Sequence, residues 1–481
     1  MEKAAANALP PLRFLAVLAV IAWTFFLYFH FSMLSGTTVE VSHGGEDDGS
    51  ADDDPCRGRY IYVHDLPPRF NADIIRDCRK INDHWGGMCE FVSNAGLGRP
   101  LADRTEGVLT EQAGWYNTHQ FALDYIFHNR MKRYECLTNH SAVAAAVFVP
   151  FYAGFDFVRY HWGYDNHTRD AASVDLVEWL TARPEWRRMG GRDHFLVAGR
   201  TGWDFRRSNN LNPEWGTDLL AMPGGRNMTV LVMESTLLHG GDYPVPYPTY
   251  FHPKTDARRA AVAGPAVRGT KPDVAHGLHR RAAPPDVPMN IRVRDHVIAQ
   301  CKASAACTLL GCPRNLGSTQ CHTPLNIMRL FQKTVFCLQP PGDSCTRRSV
   351  FDSMVAGCIP DGDVRQHNVS IEDVLRAIPQ ATVERMREQV IRLIPRLLYA
   401  DPRAAKLETL KDAFDVAVEG ILGRVARIRN GEEVNSGGPV DEDLPYLFAS
   451  TDSKFRPRQW KQRVAATPPV VRKKKKIAVQ T

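Results

Sequence analysis

Residues Phe336 to Pro360, FCLQPPGDSCTRRSVFDSMVAGCIP, constrain the fold of this chain more than any other stretch. The apolar run Val335-Phe336-Cys337-Leu338 suits a short interior strand, and Pro340-Pro341-Gly342-Asp343-Ser344 forbids its continuation. A helix is expected to begin near Thr346, so the segment reads as strand, glycine loop and helix. The first turn of such a helix offers free backbone N–H groups and the positive dipole end. With Arg347 and Arg348 beside it, a diphosphate would be stabilised there. Asp352 lies further along, where a carboxylate would accept both hydroxyls of a ribose. The same residues also describe an ordinary βα unit with a solvated arginine pair, and physics alone leaves both readings open.

The rest of the chain alternates in the same way. Tyr60 to Val63 reads as the first core strand, residues 115 to 137 as a helix, and Ala142 to Val149 as an interior parallel strand stopped by Pro150. Val174 to Thr181 looks helical, whereas Phe195 to Ala198 and Val230 to Met233 look like strands. This alternation predicts an α/β fold. Asp401-Pro402 is a helix start by type, and Leu407, Leu410, Phe414, Ala417, Ile421 and Val425 then recur on one face.

At 481 residues the chain has room for two domains, each with its own core. A run from Phe14 to Phe29, extended by Phe31, Met33 and Leu34, is long enough to cross a bilayer if it starts near Leu12. Lys3 and Arg13 precede it while Glu40, Glu46, Asp47 and Asp48 follow, which predicts a type II arrangement with a lumenal body. A cleaved signal peptide is the rival reading. Eleven cysteines and sequons at Asn139, Asn166, Asn227 and Asn368 point to the secretory pathway. Cys301, Cys307, Cys312 and Cys321 are spaced unlike zinc-finger pairs, which favours disulfides over metal. The net charge of +7 owes much to the tail from Lys454 to Lys476, which ends in Arg472-Lys473-Lys474-Lys475-Lys476. In a lumenal tail such a run reads as a solvated, disordered segment, and no nucleic acid is expected as a partner.

Beyond Phe336 to Pro360, three groups of residues carry a wider likeness. They are Arg59-Tyr60-Ile61-Tyr62-Val63-His64-Asp65-Leu66-Pro67, Phe148-Val149-Pro150-Phe151-Tyr152-Ala153-Gly154, and Gly190-Gly191-Arg192-Asp193-His194-Phe195 after Arg183-Pro184-Glu185-Trp186. Trp203-Asp204-Phe205-Arg206-Arg207, Pro246-Tyr247-Pro248-Thr249-Tyr250-Phe251-His252-Pro253 and the stretch from Ile391 to Val418 extend it. Over most of residues 57 to 430 the sequence resembles the exostosin-type glycosyltransferases, most closely the plant xyloglucan galactosyltransferases. The resemblance implies an α/β, GT-B-like architecture of two Rossmann-like domains facing across a cleft, behind an N-terminal transmembrane helix. It also implies a Golgi membrane protein that moves galactose from UDP-galactose to xylose side chains of xyloglucan with inversion. UDP-sugar, xyloglucan, the Golgi membrane and other cell-wall glycosyltransferases in a complex are the implied partners. Another donor, such as the galacturonic acid or arabinose nucleotide, and a non-catalytic role in a synthase complex remain as alternatives.

The expected organisation is a cytoplasmic tail (1–11), an anchor (12–34), a stem (35–56), an acceptor-side domain (57–255), a nucleotide-sugar domain (289–430) and a disordered basic tail (431–481). Residues 256–288 interrupt it as an irregular, low-complexity segment without Ile, Phe, Trp or Tyr, judged unable to build a strand core. After Pro360 the chain passes at once to Asp361-Gly362-Asp363-Val364-Arg365, where relatives have a further strand and loop. The domain therefore looks truncated on its donor side, with impaired activity as the expected consequence.

On the donor side the candidates are Gly342, Asp343, Ser344, Arg347, Arg348, Asp352 and Gly357. A general base would come from His64, Asp65, His119 or Asp156, none favoured by sequence. Glu234, Tyr247, Tyr250 and His252 are candidates for the acceptor side, because aromatic faces suit sugars, although core packing explains them equally well. Asp52-Asp53-Asp54, Asp361-Gly362-Asp363 and Asp441-Glu442-Asp443 imitate a metal-binding Asp-x-Asp motif but fall in the stem, at the break and in the tail. No metal and no cofactor are expected, since arginines can neutralise the phosphates.

Overall fold

Strands form where the apolar runs are continuous, because a parallel strand in mid-sheet is covered on both faces. The computed structural model describes residues 54–83, 86–104, 109–161, 163–207, 215–235, 241–256, 276–280, 293–311, 323–340, 346–361, 370–404 and 411–432. Its first sheet has six parallel strands: β1 (Ile61–Val63), β2 (Leu137–Thr138), β3 (Ala146–Phe148), β4 (His194–Val197), β5 (Thr229–Val232) and β6 (Asp242–Pro244), in the order β2-β1-β3-β4-β5-β6. β3, β4 and β5 are buried along their whole length.

Helices α1 (Ala72–Arg76), α2 (Leu123–Met131), α3 (Ala153–Arg159), α4 (Asn166–Thr181), α5 (Pro184–Met189) and α6 (Pro223–Asn227) connect these strands. Local chemistry sets their ends: the Asp165 side chain accepts from Thr168 N–H at 2.8 Å to start α4, and proline stands first in α5 and α6. The helix expected over 115–137 is shorter, because the residues before Leu123 are taken by pairing instead. Trp115 bridges Phe251, and Tyr116 N–H donates to the Tyr250 carbonyl at 2.9 Å. Tertiary hydrogen bonds thus override the local helical pattern.

The second sheet is also parallel, with β7 (His276–Arg280), β8 (Cys307–Gly311), β9 (Phe336–Leu338) and β10 (Ile359–Asp361) in the order β8-β7-β9-β10. β7 corrects the sequence reading, since it lies inside the stretch 256–288. One leucine and one glycine are enough for it. Leu278 is fully buried among Val297, Cys301 and Phe336, and at Gly277 a Cβ would stand only 3.0 Å from Thr334 Cγ2 and 3.1 Å from Leu330 Cδ1. A bare backbone there lets the neighbouring helix close over the sheet. The remaining residues of that stretch after 256 lie outside the described residues. β10 is formed and pairs with β9 from Phe336↔Ile359 to Leu338↔Asp361, right up to the expected break, while 362–369 lie outside the description.

Helices α7 (Val293–Ala303), α8 (Pro324–Lys333), α9 (Arg348–Val355), α10 (Ile371–Arg376), α11 (Gln380–Leu397) and α12 (Ala413–Arg429) complete the chain. α12 begins eleven residues later than Asp401-Pro402 suggested, at a capping box of Asp412 and Asp415. Asp401 is instead buried and accepts from the Arg403 side chain at 2.7 Å and from the Tyr116 hydroxyl at 3.3 Å. Phe414, Ala417, Ile421 and Val425 do form a buried stripe, and Leu407 and Leu410 lie outside the described residues. The stripe packs on the first sheet's core: Phe414 meets Phe127 with ring centroids 4.7 Å apart, and Arg424 Nε donates to Thr229 Oγ1 at 3.0 Å. Burying each such aromatic contributes about 2 kcal/mol. The described residues from Cys56 onward accordingly form one compact unit.

Among the described residues four disulfides hold this body: Cys56–Cys136, Cys78–Cys89, Cys301–Cys307 and Cys337–Cys358. Among the described residues every cysteine is paired, and Cys312, Cys321 and Cys345 lie outside them. Asn139, Asn166 and Asn227 are exposed, although Asn227 Nδ2 donates to the Gly190 carbonyl at 2.8 Å. Asn368, the segment 12–34, nearly all of the stem and tail, and most of the three acidic triplets lie outside the description. Among the described residues no helix is long and apolar enough to cross a membrane.

Candidate functional site

α9 opens at the carboxyl end of β9, beside the point where the strand order reverses between β7 and β9. In open parallel sheets that is where ligands bind. Gln339 fixes the junction: its N–H donates to the Asp361 carbonyl at 2.6 Å, its Nε2 to the Ser349 carbonyl at 3.2 Å, and Ser349 Oγ donates to its Oε1 at 2.8 Å. Arg348, the first residue of the helix, is 8% exposed. Its Nε donates to Asp352 Oδ2 at 3.1 Å, its Nη1 donates to the Thr118 carbonyl, and its guanidinium lies 3.5 Å from the centroid of the Tyr250 ring. Among the described residues Nη2 has no hydrogen-bond partner, and it is buried. Unpaired N–H donors inside a protein are costly, and an anionic ligand oxygen would remove that cost.

Asp352 is positioned rather than open. Its Oδ1 accepts from Tyr250 N–H at 3.3 Å and its Oδ2 from Arg348, and burial pushes its carboxyl up to about 6 against the pull of both. Arg347 caps the helix in an extended conformation. Gly342, Asp343 and Ser344 lie outside the described residues. Gly357 follows the other end of α9 with φ +66°, donating its N–H to the Met354 carbonyl at 2.8 Å. It closes the helix, about 14 Å along the axis from the arginines.

The structure brings Tyr250, His252 and His119 together with Arg348. Thr118, whose carbonyl holds Arg348, shares its hydroxyl with His252 Nε2 at 2.9 Å, and His119 is the next residue. His119 Nδ1 accepts from Phe121 N–H at 3.2 Å, and its ring packs 4.9 Å from Phe91. His252 is fully buried and donates from Nδ1 to the Tyr399 carbonyl at 2.8 Å. Tyr247 reaches α9 through Phe351, with centroids 5.8 Å apart, and donates its hydroxyl to Glu234 Oε1 at 2.8 Å. Burial and the Glu234 charge push that phenol up.

The other base candidates sit elsewhere. His64 is buried against the Trp179 edge and shares a proton position with His194, Nε2 to Nε2 at 3.1 Å. His194 is bound in turn to Asp193 at 2.8 Å, which holds Arg188. Burial and His194 push His64 down to about 4. Asp65 is exposed just beyond β1. Asp156 is buried in α3 with Arg159 at 3.4 Å and is pushed up to about 6 by burial. Thr118 was missed by sequence, because it acts partly through a backbone carbonyl that every residue type possesses.

His252 supports a pH prediction. Burial lowers its pKa to about 4, so between pH 6.5 and 4 the unfolded chain takes up a proton that the folded chain refuses. Wild type therefore loses stability from this group as pH falls through that window. The stability gap between wild type and His252→Asn should narrow by about 3 kcal/mol from pH 7 to pH 4. Urea unfolding of both proteins at the two pH values checks it, and an unchanged gap would reject the buried neutral histidine.

Two parallel sheets with covering helices, and a buried arginine held at a helix start where the second sheet's strand order reverses, define an α/β protein that fits the GT-B-like glycosyltransferases. Sequence comparison narrows the class. Residues 55–360 match the exostosin GT47 domain, and the chain belongs to that family. It is 49% identical over 411 residues to the xyloglucan galactosyltransferase MUR3 of Arabidopsis thaliana, covering 78% of this chain and 64% of that one. The probable xyloglucan galactosyltransferase GT12 of the same plant is 40% identical over 442 residues (82% and 84% covered), and the xyloglucan-specific galacturonosyltransferase 1 is 34% identical over 403 (77% and 58%). The domain match ends at Pro360.

Proposed function

We propose that this chain transfers galactose from UDP-galactose to xylose side chains of xyloglucan, inverting the anomeric carbon. The observation that carries the reading is the Arg348 guanidinium, fixed on three sides by Asp352, Thr118 and Tyr250 and left, among the described residues, with a buried donor unpaired at the start of α9. Such a preformed positive group offsets the charge that grows on a departing diphosphate without reorganising during the reaction. An acceptor hydroxyl oxygen forms the new bond to the anomeric carbon as the bond to the diphosphate oxygen breaks. The bonding electrons leave with UDP, and the hydroxyl proton passes to a base. His119 is the base candidate nearest to Arg348 through Thr118 and takes that role here.

The relatives named as galactosyltransferases support galactose as the donor sugar, and the galacturonosyltransferase relative keeps a uronic donor as the second reading. Disulfides and exposed sequon asparagines favour the Golgi lumen, with residues 12–34 as a type II anchor and other cell-wall transferases as neighbours. The test is incubation of the full chain, in detergent, with xyloglucan and labelled UDP-galactose or the galacturonic acid nucleotide. Label should enter the polymer from UDP-galactose and be released by a β-galactosidase. A folded protein that binds UDP but transfers only the uronic sugar supports the second reading, and one that binds no UDP supports a non-catalytic partner.

A further inference from the structure

Trp203 and Tyr164 are the large exposed aromatic side chains among the described residues, 39% and 48% exposed. Trp203 keeps part of its indole in water while resting on a fixed support. Its inner face stacks on Trp215, with ring centroids 5.7 Å apart and planes 27° from parallel. Trp215 is locked from behind: its Nε1 donates to Asp204 Oδ1 at 2.9 Å, and its ring meets the His161 ring at 4.2 Å. Asp204 in turn accepts from Arg200 Nε at 2.8 Å, and the Arg200 guanidinium is clamped between Phe121 and Phe157 at 4.0 and 4.3 Å. Trp203 is thus a flat, partly exposed apolar face on a rigid base, and among the described residues its ring contact is with Trp215.

We infer that this face is a docking platform for a neutral, β-linked glucan chain, distinct from the donor site. Three observations select that occupant. A preset aromatic plane matches the apolar C–H face of a pyranose ring, and stacking on it costs little side-chain entropy because the ring is already fixed. The charged groups around it satisfy one another: Arg200 with Asp204, Arg206 with Asp242 at 3.0 Å, and Arg207 with Asp170 at 3.1 Å. Little charge is left to attract an acidic polymer. The base of the platform is also tied to α9 through buried and half-buried residues. Gly202 N–H donates to the Glu234 carbonyl at 2.9 Å, Glu234 accepts from the Tyr247 hydroxyl, and Tyr247 packs on Phe351 of α9. The platform and the donor helix are thus held in fixed relation through the protein interior. The inference rests on the xyloglucan reading only for the identity of the glucan.

The experiment titrates the full chain, without any donor, with cellohexaose and with xyloglucan, following tryptophan fluorescence and calorimetry. Wild type should bind both saturably. Trp203→Ala should weaken both by about tenfold or more, Trp203→Phe should recover part of the loss, and UDP affinity should stay unchanged in both variants. Equal glucan affinity in wild type and Trp203→Ala overturns the platform, as does tighter binding of polygalacturonate than of cellohexaose. Loss of a protein partner from Trp203→Ala with glucan affinity intact also overturns it. Trp203-dependent glucan binding without any galactosyl transfer supports the platform and rejects only the catalytic reading.

Discussion

Arg348→Ala should lower galactosyl transfer by about 100- to 1,000-fold and abolish saturable UDP binding, because it removes a preorganised positive group from the leaving-group side. The size of the effect follows from the geometry. Three fixed contacts hold the guanidinium before any ligand arrives, so a ligand phosphate meets a charge that needs no reorientation. Arg348→Lys should be nearly as damaging. A single ammonium on a flexible stem cannot reach Asp352 and the Thr118 carbonyl together and still cover the Tyr250 ring. Alanine also leaves the Asp352 carboxyl buried without its ion partner, which raises its pKa above the present value of about 6 and destabilises the fold by about 3 kcal/mol. Stability and catalysis are separated by combining Arg348→Met with Asp352→Asn, which removes the pair together and should regain most of the thermal stability without UDP binding. Calorimetry with UDP and single-turnover transfer of labelled galactose read the two effects. Transfer at wild-type rate by a folded Arg348→Met/Asp352→Asn protein would reject Arg348 as the diphosphate group.

What the sequence made legible follows from how locally each feature is determined. β4 and β5 were visible because Phe195 to Val197 and Val230 to Val232 are continuous apolar runs that a covered parallel strand needs. The strand and helix ends of Phe336 to Pro360 were visible because prolines, a glycine and an arginine pair punctuate them. β7 was not visible. His276 to Arg280 carries one apolar side chain of any size, and its place in the sheet depends on Gly277 admitting Thr334 and Leu330 from another part of the chain. Asp401-Pro402 misled for a similar reason, since Tyr116 and Arg403 claim the Asp401 carboxylate and the capping work falls to Asp412. In the site, Arg348, Tyr250 and His252 were readable by residue type, but their union was not. It is made by the Thr118 hydroxyl and carbonyl, supplied from 230 residues away along the chain.

Asp412→Ala should cost about 4 kcal/mol of folding stability, because one buried carboxylate carries several obligations at once. Its Oδ1 accepts from Asp415 N–H at 3.0 Å to start α12, and its own N–H is returned to Asp415 Oδ2 at 3.0 Å. Its Oδ2 accepts from Ala400 N–H at 2.8 Å and from Arg130 Nη2 at 3.4 Å. Loss of the cap alone costs about 1 kcal/mol. The larger part comes from Arg130, 4% exposed on α2, which would keep only Asp415 at 3.7 Å and the Phe414 ring at 4.8 Å for its charge. Asp412→Asn keeps one oxygen, enough for the Asp415 N–H but not for the Ala400 N–H as well, and should cost less than the alanine change. The two variants also differ from wild type in pH dependence. Burial and the Asp412 charge raise Asp415 to about 6, so the folded protein binds an extra proton between pH 3.8 and 6 and loses that contribution as pH rises through 6. Without the neighbouring charge in Asp412→Asn, Asp415 should ionise more readily and the loss should shrink. Urea unfolding at pH 4.5 and 7 tests both statements, and an alanine variant within about 1 kcal/mol of wild type would sink the first. The effect should be global rather than local, because α12 packs Phe414, Ala417 and Ile421 into the core of the first sheet, and its first turn is tied to that core through Arg130.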